Sequence, residues 1–406
     1  MNTFLVDKGI EYSYDNLLFD INQANGYYPQ LKSDDLYSFF LNLVLALAHS
    51  KPLVLIDSDV NLVEIDNLDK NSINSYEPLS KNTFNSINEI INNIEFSESE
   101  ITLFTSGTTG QPKKVIHTVQ TLIRNVRKSI EYEKHSWAFA YNPTHMAGLQ
   151  VFFQAFLNSN VIVNVFNKKR DEVYESIGKY SVSHISGTPT FYRLLLPFEK
   201  VCNSIRRVTL GGEKSDTKLH NALVQIFPEA KINNIYASTE AGSLFSAKGE
   251  FFQIPSSIQD KIRVIDNELY VHESLLGKSD SFILNEDNYY RTGDLIEWEN
   301  KENGLFRFKG RANELINIGG YKVNPSEIES VISQLPDIIQ VIVYGKSNSV
   351  LGNILCADIK LKAESEITEL SIKEYLKNFL QDFKIPRRIK FVDTIELTRT
   401  GKLKRI

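Results

Sequence analysis

Residues 105–114 read Thr105-Ser106-Gly107-Thr108-Thr109-Gly110-Gln111-Pro112-Lys113-Lys114, directly after the apolar run ITLF at 101–104. This stretch combines hydroxyl groups, glycines and lysines in a turn that follows a predicted strand. Backbone N–H groups and hydroxyls in such a loop can converge on a polyphosphate while a cation neutralises its charge. The loop is not the common P-loop, because its glycine spacing differs and no Ser or Thr follows the lysine. An ordinary flexible turn has a similar composition, so the loop alone leaves both interpretations open.

On both sides of this loop, the sequence predicts strands that alternate with helices. An apolar helix at 36–48 and a strand at 53–56 precede the loop. Helices are then predicted at 115–132, 148–158, 189–196 and 217–226, and strands at 135–141, 161–166, 183–185, 208–210 and 231–236. This alternation is typical of βαβ units with largely parallel sheets. The first part of the chain is therefore expected to have an α/β fold.

The pattern changes after residue 250. The short runs IRVID, ELYVHE, SFILN, YYRTGDL, IEWEN and GLFRFKG predict an antiparallel sheet or small barrel. A mixed segment follows, with helices at 325–335 and 367–380 and strands at 338–344, 353–360 and 388–391. We predict a large domain at 1–309, made of parallel α/β subdomains and a small β-barrel-like subdomain. A small, mobile α+β domain is predicted at 310–406.

Composition excludes several classes of protein. Of the 406 residues, 42% are hydrophobic and 23% are charged, which excludes a fully disordered chain. A net charge of −5 provides no overall positive field for nucleic acid. The two cysteines, Cys202 and Cys356, cannot make a disulfide framework or a Cys-rich metal site. We find neither a leader pattern nor the roughly 20 clean apolar residues of a membrane span. A cytoplasmic protein without nucleic-acid or membrane partners is expected.

Further motifs follow the loop in a fixed order. They are PTHMAGL at 143–149, GGE at 211–213, YASTE at 236–240, YRTGD at 290–294, GRANELI at 310–316, GGYKVNPSEIE at 319–329 and TRTGK at 398–402. Together with TSGTTGQPK at 105–113, they resemble the signatures of the adenylate-forming superfamily. That superfamily includes acyl- and aryl-CoA synthetases, peptide-synthetase adenylation domains and luciferases. The resemblance spans residues 103–406, about three quarters of the chain.

The resemblance implies ATP, Mg²⁺ and a thiol, either CoA or the phosphopantetheine of a carrier protein. It assigns catalytic roles to Lys402, Thr239, Glu240 and His145, with Glu240 also as the metal ligand. Mg²⁺ is usually held by one or two carboxylates together with phosphate oxygens, so one Glu is sufficient. Roles in binding nucleotide or thiol fall on Thr105, Ser106, Gly107, Thr108, Thr109, Gly110, Lys113, Gly211, Gly212, Glu213, Tyr236, Asp294, Arg311, Gly319 and Gly320. Within this set, residues 211–213 would line the adenine and Asp294 would take the ribose hydroxyls.

Each of these residues also has a structural interpretation. Asp294 could be a hairpin residue, Glu240 a helix cap and His145 a buried core histidine. Lys402 could belong to a solvated polar tail. Only the joint order and spacing of the motifs favour a functional role for them.

The sequence departs from the superfamily pattern at several places. The loop begins near residue 104, earlier than is usual, so we expect a shortened N-terminal region. Such a region would alter the acyl pocket and leave a face available for a homodimer. Ala237 stands in place of the usual Gly of Y-G-x-T-E, and Asn313 in place of the usual hinge Asp or Lys.

The function expected from the resemblance is that of an ATP-dependent acid–thiol ligase acting through an acyl adenylate. The GGYK run at 319–322 resembles CoA ligases for aromatic or short acids, such as the o-succinylbenzoate and coumarate enzymes. An adenylating enzyme that loads a carrier protein is the alternative. A catalytically inactive homologue that binds nucleotide as a scaffold is a third class. The sequence does not identify the acid, which is expected to be small.

Overall fold

The computed structural model describes residues 2–60, 62, 65, 68–80, 83–105, 112–132, 134–197, 200–247, 249–318, 321–348, 352–398 and 403. The strands are β1 (Thr3–Asp7), β2 (Ile10–Ser13), β3 (Gly26–Tyr27), β4 (Gln30–Lys32), β5 (Leu53–Ile56), β6 (Glu77–Pro78), β7 (Glu100–Thr105), β8 (Lys113–Thr118), β9 (Ser136–Phe139), β10 (Val161–Asn164), β11 (His184–Gly187), β12 (Arg207–Gly211), β13 (Lys231–Ser238), β14 (Gly242–Ala247), β15 (Phe252–Gln253), β16 (Ile262–Ile265), β17 (Glu268–His272), β18 (Tyr289–Asn300), β19 (Leu305–Arg311), β20 (Ile316–Ile318), β21 (Tyr321–Val323), β22 (Ile338–Asn348), β23 (Gly352–Leu361) and β24 (Arg388–Phe391). The helices are α1 (Tyr14–Gln23), α2 (Leu36–Ala48), α3 (Ile87–Glu95), α4 (Val119–Ile123), α5 (Met146–Phe156), α6 (Arg170–Lys179), α7 (Pro189–Leu194), α8 (Thr217–Ile226), α9 (Pro325–Ile332) and α10 (Glu369–Lys377).

A central eight-stranded sheet has the order β14-β13-β12-β11-β9-β10-β1-β2. Its inner strands run parallel, whereas β2 and β14 pair antiparallel at the two edges. Parallel neighbours need long crossover connections, and here α5, α6, α7 and α8 supply them. The carboxyl ends of β9, β12 and β13 consequently meet at one edge, where ligands bind in open α/β sheets. The predicted α/β fold is confirmed.

Apolar layers cover both faces of the central sheet. One layer includes Val173 and Ile177 of α6 and Leu219 and Leu223 of α8, all buried. The other layer contains α2 and α5 and is shared with a second sheet of order β4-β5-β7-β8. Coverage on both faces explains why β1, β9 and β10 contain continuous apolar runs.

Helix α2 lies in this shared layer and is apolar around most of its circumference, as a helix buried on all sides requires. Phe39, Phe40 and Leu43 have no exposed surface, and burying each such side chain contributes about 1.5–3 kcal/mol. The Asp35 side chain caps the helix by accepting from the Ser38 N–H at 2.8 Å. The predicted helix at 36–48 and strand at 53–56 are both confirmed.

The predicted helix at 115–132 is wrong in its first part. Residues 113–118 form β8, which pairs antiparallel with β7, and the helix α4 covers only Val119–Ile123. Val115 and His117 are buried while their neighbours are more exposed, which is the period of a strand. Pairing with β7 outweighs the local helical pattern of these residues. The 105–113 loop therefore joins the two strands of one hairpin.

The remaining sheets lie in the last third of the chain. The sheet of order β15-β19-β18-β17-β16 is antiparallel throughout, as predicted. Beyond it, β22-β23-β24 and β20-β21 pack with α9 and α10 around a separate apolar core. We refer to residues 310–406 as the C-terminal region. Within the part of the chain that the structure describes, no helix is both long and apolar enough to cross a bilayer.

Candidate active site

A cleft of about 1380 Å³ opens where the central sheet, the five-stranded sheet and the C-terminal region meet. Its lining includes Thr105, Lys113, His145, Gly212, Glu213, Tyr236, Thr239, Glu240, Asp294 and Arg311. Gly211 lies beside this lining, at the end of β12. Ligand pockets usually measure about 300–1,000 Å³, so this cleft has room for a nucleotide and a second small molecule.

Asp294 is the centre of a polar group in the cleft wall. It lies in β18 directly opposite Arg311 of β19 and is 6% exposed. Arg311 Nε donates to Oδ1 at 2.9 Å, and the Tyr236 hydroxyl donates to Oδ2 at 2.6 Å. Because a carboxylate has about four acceptor positions, Asp294 keeps capacity to accept from ligand hydroxyls.

The ring of Tyr236 lies between two other aromatic rings. It stacks on Phe308 and Phe245, with centroids 4.4 Å and 5.4 Å away and interplanar angles of 17°. Burial, reinforced by the Asp294 carboxylate, raises the pKa of Tyr236 well above its usual value. The same carboxylate raises the pKa of Arg311. At neutral pH the phenol is therefore protonated and the guanidinium is charged, so both donate to Asp294.

The turn between β13 and β14 presents Thr239 and Glu240 at the cleft. Two hydrogen bonds fix the backbone of this turn. His117 Nε2 donates to the Thr239 carbonyl at 2.7 Å, and the Gly277 N–H donates to the Glu240 carbonyl at 2.8 Å. Burial lowers the pKa of His117, so the ring is neutral at pH 7. A Cβ at Gly277 would lie 2.7 Å from His117 Cε1, which requires glycine there. The predicted pair Thr239 and Glu240 thus lies in the cleft, whereas His117 was not predicted because it belongs to no motif.

Glu213 connects three segments. Its Oε2 accepts from the Thr190 N–H at 2.9 Å and its Oε1 from the Leu403 N–H at 3.2 Å. Gly212 before it has a φ of +83°, in the left-handed region that favours glycine. The contact with Leu403 could not be predicted, since the two residues are 190 positions apart.

His145 begins α5 and lies beside a carboxylate that the sequence did not single out. Its Nε2 is 3.4 Å from Oδ2 of Asp57, which also accepts from Asn142 Nδ2 at 2.9 Å. Burial raises the pKa of Asp57, but the nearby His145 and the hydrogen bonds from the Asp59 N–H and Asn142 outweigh it, so the pKa lies below its usual value. Asp57 follows β5 and Asn142 follows β9, so the group joins the two sheets. The available signal was an acidic residue directly after a predicted strand.

The two ends of the 105–113 loop lie side by side. Thr105 and Lys113 are directly opposite in the β7–β8 pair, and both line the cleft. The other predicted residues of this loop and of two further motifs lie outside the described residues. These are Ser106, Gly107, Thr108, Thr109, Gly110, Gly319, Gly320 and Lys402.

Two sequence families match the chain in the order that the motifs predict. The AMP-binding enzyme family matches residues 68–269, and the AMP-binding enzyme C-terminal domain matches residues 327–402. The matches cover more than half of the chain together. The chain belongs to the AMP-binding enzymes of the adenylate-forming superfamily.

Its relatives include a synthase and a ligase. Gramicidin S synthase 2 of Brevibacillus brevis is 25% identical over 75% of this chain, which spans 8% of that protein. The 2-succinylbenzoate–CoA ligase of Staphylococcus aureus is 26% identical over 75% of this chain, which spans 65% of that protein. This chain thus spans less than two thirds of either relative.

Solved structures confirm the fold. ATP-bound MatB from Rhodopseudomonas palustris has a TM-score of 0.76 and 17% identity, covering 99% of this chain and 94% of that chain. The o-succinylbenzoate CoA synthetase from Bacillus subtilis, in complex with its acyl-adenylate intermediate, has a TM-score of 0.72 and 18% identity over the same shares.

Proposed function

We propose that this protein is an AMP-forming acid–thiol ligase. It activates a small carboxylic acid with ATP and transfers the acyl group to a thiol. One observation carries the proposal: the Asp294 group, the Thr239–Glu240 turn and the Thr105–Lys113 loop ends all line one cleft. In this arrangement Asp294 can accept from sugar hydroxyls and Glu240 can hold a metal ion. Lys113 and the Thr105 hydroxyl can bind phosphates.

The nucleotide is proposed to lie across the cleft. Asp294, held by the Tyr236 hydroxyl, accepts from the ribose hydroxyls. Residues 211–213 border the adenine. Lys113 and the hydroxyls of the 105–113 loop surround the phosphates, and Arg311 adds charge beside the ribose. Gly319 and Gly320 are proposed to border the thiol.

The proposed reaction has two substitution steps, and both take place in this cleft. In the first, a carboxylate oxygen attacks the α-phosphorus of ATP, and the bond from that phosphorus to pyrophosphate breaks. The Thr239 hydroxyl donates to the α-phosphate, and Lys402 neutralises the charge that develops there. In the second, the thiol sulfur attacks the acyl carbon, the bond to AMP breaks and the thiol proton passes to water. His145 borders the position of the acyl group.

Glu240 is proposed to hold Mg²⁺. Glu240 lines the cleft, and the hydrogen bond from the Gly277 N–H to its backbone carbonyl fixes the backbone that carries the carboxylate. Mg²⁺ favours such a site, with one or two carboxylates and phosphate oxygens. The ion would neutralise phosphate charge.

CoA is the proposed acceptor, and a small or aromatic acid is the proposed substrate. The 2-succinylbenzoate–CoA ligase among the relatives supports both. Gramicidin S synthase 2 among the relatives supports a carrier-protein phosphopantetheine as the alternative. The boundary between residues 309 and 310 and the homodimer stay predictions.

Pyrophosphate release tests the proposal. The chain is incubated with ATP, Mg²⁺ and a panel of carboxylic acids that includes 2-succinylbenzoate, with acid-free and Mg²⁺-free controls. Acid-dependent release of pyrophosphate and AMP is expected. ADP and phosphate without AMP would refute adenylation. CoA and a phosphopantetheinylated carrier protein are then compared as acceptors of the activated acid.

A further inference from the structure

We infer that Lys218 and Glu213 form a docking site, which holds the C-terminal region in the orientation needed for the first half-reaction. Both residues follow β12 in the N-terminal part of the chain. Neither is assigned this role by the motifs, and the inference rests on the proposed function. Lys218 and Glu213 are positioning residues in this scheme, acting through the segment that carries Lys402.

Lys218 makes the first docking contact. Its Nζ donates to the backbone carbonyls of Ser333, Leu335 and Ile338 at 3.0, 2.7 and 3.3 Å. These carbonyls belong to the turn in which α9 ends and β22 begins. An ammonium group has three donors, and here three carbonyls surround it. A cation is also favourable at the carboxyl end of a helix. The contact therefore fixes α9 against α8.

Glu213 makes the second docking contact, at a distant point of the C-terminal region. Its Oε1 accepts from the Leu403 N–H at 3.2 Å. Leu403 also forms an isolated antiparallel bridge with Leu397. In the sequence, the TRTGK motif at 398–402 lies between these two residues. Lys402 directly precedes Leu403, so Glu213 contacts the residue next to the proposed catalytic lysine.

Hydrogen bonds from neighbouring residues hold this docking site in place. Asp216 caps α8 by accepting from the Leu219 N–H at 2.8 Å, and its other oxygen accepts from Arg193 Nη2 at 2.6 Å. Glu213 is held by the Thr190 N–H. Residues of α7 and α8 thus hold this docking site within the N-terminal part of the chain.

The two contacts together define one orientation of the C-terminal region. A different orientation would separate Lys218 from three carbonyls and Glu213 from Leu403. A group that stabilises one of two states shifts the equilibrium by its differential interaction alone. Loss of Lys218 should therefore slow the step that uses Lys402 and spare the other step.

The test compares Lys218→Met with Lys231→Met. Lys231 begins β13, carries the same charge and is exposed, and its side chain takes part in no hydrogen bond or ion pair with the described residues of the C-terminal region. ATP–pyrophosphate exchange measures the first half-reaction with the best acid of the panel. Thioester formation from pre-formed acyl adenylate measures the second. For Lys218→Met we expect about a tenfold fall in kcat of exchange, the scale of one lost charged contact. KM for ATP and the thioester rate should stay unchanged, and Lys231→Met should behave as wild type.

Docking can also be measured independently of enzyme activity, as the distance between two spin labels in electron paramagnetic resonance. Spin labels are placed at the exposed positions Gln225 and Lys377 after Cys202→Ala, since Cys356 is 3% exposed. Lys218→Met should broaden the distance distribution. An unchanged distribution, or equal losses in both half-reactions, would overturn the inference. If wild type exchanges no pyrophosphate with any acid, the proposed function fails, whereas the distance measurement still decides the docking.

Discussion

Replacing Asp294 by Asn removes the negative charge from the polar group in the cleft wall and changes little else. The amide keeps the size of the carboxylate and one acceptor oxygen. Its NH₂ group then faces either Arg311, which has no acceptor, or the Tyr236 hydroxyl. An NH₂ group facing Arg311 loses the 2.9 Å hydrogen bond, whereas one facing Tyr236 reverses the 2.6 Å hydrogen bond, because a phenol oxygen can also accept. In both arrangements Arg311 loses its charged partner.

The size of the effect follows from the charge and the exposure of each partner. A hydrogen bond to a charged group contributes about 1.5–3 kcal/mol. The Arg311 side chain is 43% exposed, so solvent screening brings the loss of folding free energy down to about 1 kcal/mol. Bound ribose hydroxyls would be shielded from water, and their loss should cost about 2–3 kcal/mol. That corresponds to about a 30- to 150-fold rise in the Kd for ATP.

Calorimetric titration with ATP and urea unfolding measure the two effects. Glu297→Gln is the matched control, because Glu297 lies in the same strand and pairs with Arg307 at 2.6 Å and Lys309 at 3.0 Å. It makes the same charge change at a surface ion pair, and its Kd should stay within about twofold of wild type. A Kd for Asp294→Asn within threefold of wild type would refute the assignment. Equal weakening in both variants would show an effect of net charge only.

Four further results are expected. Lys402→Ala should slow pyrophosphate exchange by about 10²-fold or more and spare thioester formation from pre-formed adenylate; equal losses in both steps would contradict its role. Asn313 occupies the hinge position, about which the C-terminal region is predicted to rotate between the two half-reactions. Asn313→Pro fixes φ and removes an N–H, so one half-reaction should survive and the other should fall; normal rates in both would exclude Asn313 as the pivot of this rotation. Asp57→Ala should lower the free energy of unfolding in urea by about 1–3 kcal/mol because it leaves buried donors unpaired, whereas no change would refute the bridge between sheets. Burial lowers the pKa of His184 to about 3, so stability should fall between about pH 6.5 and pH 3, by on the order of 4 kcal/mol, as the unfolded state binds a proton that the folded state does not. His184→Gln should flatten that part of the pH profile measured by urea unfolding, and an unchanged profile would contradict it.

Local patterns were sufficient to predict much of the fold. The helix at 36–48 is apolar throughout, and the strand at 53–56 follows it after a short turn, so both were predicted with correct bounds. The helix at 217–226 was predicted equally well because Asp216 caps it and its apolar period is regular. Strand β8 was missed because its stability comes from pairing with β7. The local pattern of β8 alone does not show that it pairs with β7 across the loop that carries the phosphate motif.

The sequence by itself determined which residue types the site contains and in what order they come. Motifs such as YASTE and YRTGD are covalent facts, and their order identified the superfamily before any distance was known. Only the tertiary structure decided that Asp294, Tyr236 and Arg311 share two short hydrogen bonds, and that Asp57 meets His145. It also decided that Lys218 meets the turn after α9. Such contacts join segments up to 190 residues apart, and they arise from sheet order and packing, which no local pattern of side chains encodes.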